Sequence, residues 1–187
     1  MIAELLAHDG VVETCELRAP FGFMALHGGS LERGTAEVAR RSAEACGGSF
    51  YAIEQPDDLQ WHIPSHLYDP VAAPNLGAFL DHVEMVVSVH GYGREGWWTR
   101  LLLGGANREL AAHIAATLRG HLDGFEVLDG IDAIPRELRG LHPDNPVNRP
   151  RAGGVQLELP PRVRGLGPNG KREYVDALVG GLAALFP

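Results

Sequence analysis

Two histidines stand at the same kind of junction in this sequence. His27 ends the apolar run GFMAL and is followed by Gly28 and Gly29, while His90 ends VVSV and is followed by Gly91. Glu32 comes five residues after His27, just before the segment TAEVARRSAEAC. Imidazole nitrogen and carboxylate oxygen are donors that zinc accepts, and a catalytic zinc keeps a fourth position open. The glycine pair lets the chain turn tightly enough for His27 and Glu32 to reach one ion. Taken alone, this first segment reads equally as a strand-end histidine and a glutamate that only leads a helix. His90 adds a third donor, because parallel strands would bring both imidazoles to one sheet edge. His27, Glu32 and His90 therefore form the candidate metal set, of a kind suited to hydrolysis.

Glu158, in GGVQLELP, is the candidate general base. On a strand it shares a face with Gln156, while Val155, Leu157 and Leu159 point the other way. A carboxylate buried near a strand end is costly unless it is paired or used. Its use would be to take a proton from the attacking water and pass it to the leaving amine. The competing reading is an ion pair with Arg151 or Arg162. His62 and His66 spell HxxxH, but Pro64 between them argues against a helix, so they are read as loop histidines able to donate hydrogen bonds to a substrate. Gly91, Gly93 and Gly96 spell GxGxxG after a strand. That dinucleotide fingerprint needs a helix next, and the strand-like WWTRLLLGG follows instead.

Charge is unevenly distributed. Residues 1–93 carry 4 basic and 13 acidic side chains, residues 94–187 carry 12 and 11, and the whole chain is at −8. A net acidic chain is a poor binder of nucleic acid. Within residues 148–172 six basic groups face Glu158 alone. Arg149 and Arg151, in the irregular stretch before the strand of Glu158, are the candidate grip for a substrate carboxylate, since guanidinium forks match carboxylates. A solvated basic surface is the alternative.

The elements that must position these residues alternate. Strand signals occur at VVETCELR, GFMALHGG, SFYAIEQ, EMVVSVHG, TRLLLGG, FEVLDG and GVQLELP, several as short continuous apolar runs typical of strands buried on both faces. Helices are expected from a Thr35 cap to Cys46, stopped by Gly47-Gly48, from an Asn107 cap through NRELAAHIAATLRG, and over KREYVDALVGGLAALF. This order predicts an α/β fold, a single domain over residues 1–187, with a mixed central sheet flanked by helices. Residues 54–75 and 139–153 are long, proline-rich and aperiodic, and are expected to wall a site. No apolar run is long enough to span a bilayer, and the first ten residues lack the pattern of a signal peptide. Cys15 and Cys46 make no metal or disulfide motif. The expectation is a cytoplasmic protein with no membrane or nucleic-acid partner.

The blocks HGGSLERGTAEVA, SFYAIE, LQWHIPSH, VSVHG, LLLGG and GGVQLELP, in that order over about residues 20–165, resemble those of the poly-γ-glutamate hydrolase family first known from bacteriophage. The resemblance implies a zinc-carboxypeptidase-like core and hydrolysis of γ-linked glutamate amide bonds. It implies Zn²⁺ on His27, Glu32 and His90, with Glu158 where the general base would stand. The expected substrate is a small or peptide-like amide bearing a carboxylate. An N-acyl amino acid deacylase, or a metal- or ligand-binding domain without turnover, are the readings left beside it.

Overall fold

The computed structural model describes residues 1–186 and contains all seven expected strands. They are β1 (Val12–Glu16), β2 (Phe21–Gly29), β3 (Ser49–Gln55), β4 (Met85–Gly91), β5 (Arg100–Leu103), β6 (Glu126–Leu128) and β7 (Gly154–Leu159). They form one sheet in the order β1-β3-β2-β4-β7-β5-β6. Pairing is parallel for β3-β2, β2-β4, β4-β7 and β5-β6, and antiparallel for β1-β3 and β7-β5. The mixed sheet is as expected, and its parallel centre sends the carboxyl ends of β2, β4 and β7 to one edge.

Among the described residues five α-helices accompany it: α1 (Ile2–Leu6), α2 (Thr35–Cys46), α3 (Pro74–His82), α4 (Arg108–His121) and α5 (Arg172–Ala183). Helices α2, α4 and α5 cover one face, packing Val38, Ala39, Ile114, Leu118 and Leu178 against Phe23, Val89, Val155 and Leu157. The other face is covered by α1, α3 and the stretch between β3 and α3, with Met24, Leu26, Tyr51, Ile63, Tyr68, Leu76 and Phe79 forming a second core. Helices α1 and α3 are not among the expected elements. Helix α1 is a single short turn or so, too brief for a 3.6-residue period to show. Helix α3 starts inside the stretch read as a loop; Pro74 sits at its start, a position where the missing N–H costs nothing.

Asn107 caps α4, its side-chain oxygen accepting from the Leu110 N–H at 2.9 Å. The capping role expected of Thr35 is corrected. Gly34, with φ +85°, is the N-cap of α2, and Thr35 is its first helical residue, donating its hydroxyl to the Glu32 carbonyl at 2.7 Å. Only a residue tolerant of positive φ can make the turn between Glu32 and the helix. Gly47, at φ +70°, ends α2 as expected. Where GxGxxG would need a helix, β5 follows. No described helix is long and apolar enough to cross a membrane.

Candidate metal centre

The carboxyl edge of β2 departs from regular pairing at the position that matters. β2 pairs with β3 in register through Ala25↔Ala52, then resumes at Gly28↔Glu54, so one extra residue of β2 is accommodated between them. A bulge of this kind bends the strand and re-aims side chains. Without it, alternation would put His27 on the face of Phe23 and Ala25, towards α2. With it, His27 turns to the opposite face, against Tyr68 and His62, with ring centroids at 5.7 and 4.9 Å. Pairing of β2 with β4 also ends at Met24↔Ser88, so the two strands separate where His27 and His90 emerge. Gly29 completes the turn: at φ +73°, a Cβ there would lie 2.1 Å from the Gln55 carbonyl oxygen.

His27, Glu32 and His90 each offer a donor atom, and those atoms lie within 4.8 Å of one another. The imidazoles are almost fully buried. His27 Nδ1 is 2.9 Å from Glu32 Oε1, and His90 Nδ1 is 3.5 Å from Glu32 Oε2. The far nitrogens are occupied: His27 Nε2 donates to the Ile63 carbonyl at 2.9 Å, and His90 Nε2 meets the Ser88 hydroxyl at 3.0 Å. A carbonyl can only accept, so the proton of a neutral His27 sits on Nε2 and its Nδ1 lone pair faces a carboxylate. Two acceptors at that distance need a proton or a cation between them. Orientation of the second ring nitrogen by a carbonyl or hydroxyl is what ligating histidines normally have. The donor chemistry thus fits a divalent ion of the zinc type.

Electrostatics agree. Burial alone would raise the Glu32 carboxyl, but His90 and His27 hold it well below the usual carboxylate range. Burial would lower His90, yet Glu32 and then Glu158 raise it. The Gly91 N–H donates to Glu32 Oε2 at 2.8 Å, fixing the carboxylate from the β4 side.

Glu158 lies directly across from His90 in the β4-β7 register and is buried. It makes no ion pair with Arg151 or Arg162. Instead Gln156 Nε2 donates to its Oε1 at 2.8 Å, and Gln156 Oε1 accepts from Asn145 Nδ2 at 2.9 Å. Burial pushes the Glu158 carboxyl up to about 7, with Glu32 adding to the rise and His90 opposing it. All four residues line one cavity of about 670 Å³. Its outer walls come from the two aperiodic stretches, which contribute His62, His66, Leu141 and His142. Burial and then His27 lower the pKa of His62, which favours its neutral, hydrogen-bonding form.

Neither arginine proposed for the carboxylate lines this cavity. Arg151 is exposed and pairs with Glu84 at 2.6 Å, and Arg149 lines a smaller hollow beyond His66. The arginine on the cavity wall is Arg136, which sequence reading did not single out. A second one it missed is Arg164, whose Nη1 donates to the Arg33 carbonyl at 2.7 Å and Nη2 to the Tyr92 carbonyl at 3.4 Å. Arg164 so joins the backbone just after Glu32 to the backbone just after His90. Burial lowers its pKa while Glu32 and Glu158 raise it. Gly91 makes room for it, since a Cβ there would meet Nη1 at 2.5 Å. Arg164→Met should therefore weaken metal binding at this candidate centre by about 10- to 100-fold, the usual cost of losing a group that positions ligands. Gly91→Ala should act in the same direction. Chelator competition measures both, and wild-type affinity in the two variants would reduce Arg164 to a space-filling role.

Comparison with known proteins follows the same lines. A family model described as poly-gamma-glutamate hydrolase matches residues 3–173. The chain is 34% identical over 154 residues to the UPF0714 protein YndL of Bacillus subtilis (strain 168), covering 81% of this chain and 57% of that one. It spans about half the length of the curated relatives it matches. A solved bacteriophage poly-gamma-glutamate hydrolase is similar with a TM-score of 0.73 at 25% identity, over 94% of this chain and 89% of that one. A zinc-free structure of YndL gives a TM-score of 0.75 at 24% identity, over 95% and 91% of the two chains. A metallo-carboxypeptidase from Burkholderia cenocepacia shares the fold at 9% identity, with a TM-score of 0.54 over 98% of this chain and 66% of that one. The fold is zinc-carboxypeptidase-like.

Proposed function

The chain belongs to the poly-γ-glutamate hydrolase family, and from that premise we propose that it is a zinc-dependent amidohydrolase cleaving γ-linked glutamyl amide bonds. The observation that carries this reading is the convergence of His27, Glu32 and His90 in the cavity that also holds the buried Glu158. The relative YndL having a structure described as zinc-free supports the choice of metal.

His27, Glu32 and His90 would hold the ion through the two Nδ1 atoms and the Glu32 carboxylate. Bound zinc supplies Lewis acidity, polarising a carbonyl and making a water molecule more acidic. The protein's own residues do the rest. Glu158, poised near neutrality by burial, takes a proton from water as the water oxygen bonds to the amide carbon. The same carboxyl returns that proton to the amide nitrogen as the C–N bond breaks, leaving a carboxylic acid and an amine, which settle as carboxylate and ammonium. A carboxyl with a pKa near the working pH serves both transfers. The hydrogen bond from Gln156 keeps one carboxyl oxygen occupied, so the other is left to face the reacting groups. His62 can donate a hydrogen bond from the cavity wall.

The test is turnover of γ-linked glutamyl oligomers by zinc-loaded protein, against α-linked oligomers and simple N-acyl amino acids. Zinc-dependent cleavage of the γ-linked substrate is expected to exceed the others by at least about 100-fold, the discrimination a site gains when its buried polar groups are matched. Preference for N-acyl amino acids would replace this reading with a deacylase. Zinc binding without hydrolysis of any of them would leave a metal-binding domain.

A further inference from the structure

Nearly every arginine of this chain is engaged. Guanidinium groups meet carboxylates, as in Arg41–Asp176, Arg100–Glu126 and Arg151–Glu84, or backbone carbonyls, as in Arg108 and Arg164. Among the described residues, Arg136 and Arg149 are the two whose guanidinium has neither a hydrogen-bond nor an ion-pair partner. They are not scattered. Arg136 lines the cavity of the candidate metal centre, and Arg149 lines a second hollow of about 310 Å³. The two hollows share His66 as a common wall, and its ring lies against that of His142, with centroids 4.6 Å apart.

Of the acidic groups beside them only Glu137 is neutralised; Asp69 and Asp144, on the wall of the second hollow, keep their charge. Glu137 pairs with Arg94 at 3.2 Å, Asp69 accepts the Val71 N–H at 3.0 Å, and Asp144 lies 3.9 Å from His142 Nδ1. Two unpaired guanidinium groups line adjoining hollows that share His66, in a protein whose net charge is −8. Leaving two cations unpartnered while others are neutralised is the pattern of a surface waiting for anions.

We propose that the cavity and the hollow are one substrate groove, with a carboxylate subsite at Arg136 beside the reacting centre and a second at Arg149 beyond His66. The ligand that fits is an extended γ-linked glutamyl chain, because linkage through the side-chain carboxyl leaves one free α-carboxylate on every residue. A single amino acid amide would reach Arg136 alone. The identity of the ligand rests on the proposed function, whereas the pairing of the subsites rests on the two unpartnered arginines. A guanidinium fork binds carboxylate with two parallel hydrogen bonds, and at an exposed groove the attraction weakens as salt rises.

The experiment is calorimetric titration with a γ-linked glutamate dimer and a decamer, in wild type, Arg136→Ala, Arg149→Ala and Arg172→Ala. Arg172 is a surface residue paired with Glu37 and serves as the control. Loss of Arg149 should weaken the decamer by about 10- to 100-fold, the range for a charge-assisted hydrogen-bonded pair, and leave the dimer unchanged. Loss of Arg136 should weaken both. Equal effects of Arg149→Ala on dimer and decamer, or none on either, would overturn the groove. A wild type that binds the decamer through both arginines but does not hydrolyse it keeps the groove and sinks the proposed reaction. Hydrolysis that persists with unchanged affinities in both variants does the reverse, and a wild type that neither binds nor cleaves the decamer removes both.

Discussion

His27→Ala or His90→Ala is expected to abolish stoichiometric zinc binding. Wild-type protein should bring down one zinc per chain through chelator competition, and each variant should bind more than about 100-fold more weakly, since losing a ligand costs more than losing a group that only orients one. Each imidazole has its Nε2 already committed, to Ile63 or Ser88, so neither can substitute a second nitrogen for the partner that is lost. Unfolding gives an independent readout. A ligand that binds only the folded state adds about 2.7 kcal/mol at a hundredfold excess over its Kd, so zinc should raise the Tm of wild type and leave both variants where they were. Full zinc content and an unchanged zinc-dependent Tm shift in both variants would sink the ligand assignment.

Glu158→Gln is expected to keep the metal and lose the reaction, with kcat falling by about 100- to 10,000-fold, as is usual for a general acid-base group. Glutamine preserves shape and can still accept from Gln156, so zinc affinity should remain at the wild-type level. The same variant has a signature in the metal-free protein. The Glu158 carboxyl is raised from 4.5 to about 7 by burial, so between those values the folded state keeps a proton that the unfolded chain has released. Wild type therefore loses stability as pH rises through that window, by on the order of 3 kcal/mol at most. Below the window the carboxyl is protonated in both states and there is no loss; above it the loss is complete. Glu158→Gln has no such proton, so its stability relative to wild type should grow between about pH 5 and about pH 8. A near-normal rate in the variant would make Glu158 a structural carboxylate, and a flat stability difference would mean that the carboxyl is not held in an apolar site.

The sequence alone carried much of this. All seven strands were legible because short apolar runs bounded by glycine and proline leave few other options. The set of His27, Glu32 and His90 was legible because strand-end histidines followed by glycine are a local signal, and the shared face of Gln156 and Glu158 because strand periodicity is 2. Both aperiodic stretches were marked as walls, and they supply His62, His66 and His142 to the cavity.

What periodicity could not give was the face on which His27 emerges. By simple alternation it belongs with Phe23 and Ala25, under α2, on the side opposite His90 and Glu158. The extra residue in β2 between Ala25 and Gly28 reverses that, and such a bulge is defined by its pairing with β3, so nothing in β2 alone announces it. The arginines were beyond reach for a related reason. Arg151 is spent on Glu84, 67 positions away, and Arg164 spans to a carbonyl 131 positions away. Whether a guanidinium is neutralised, structural or free depends on which distant oxygen the fold brings within about 3 Å, and local sequence holds no record of that distance. Residue types and strand ends determined what chemistry was available; the bulge and the long-range pairings decided where it came together and which guanidinium groups were left unpartnered.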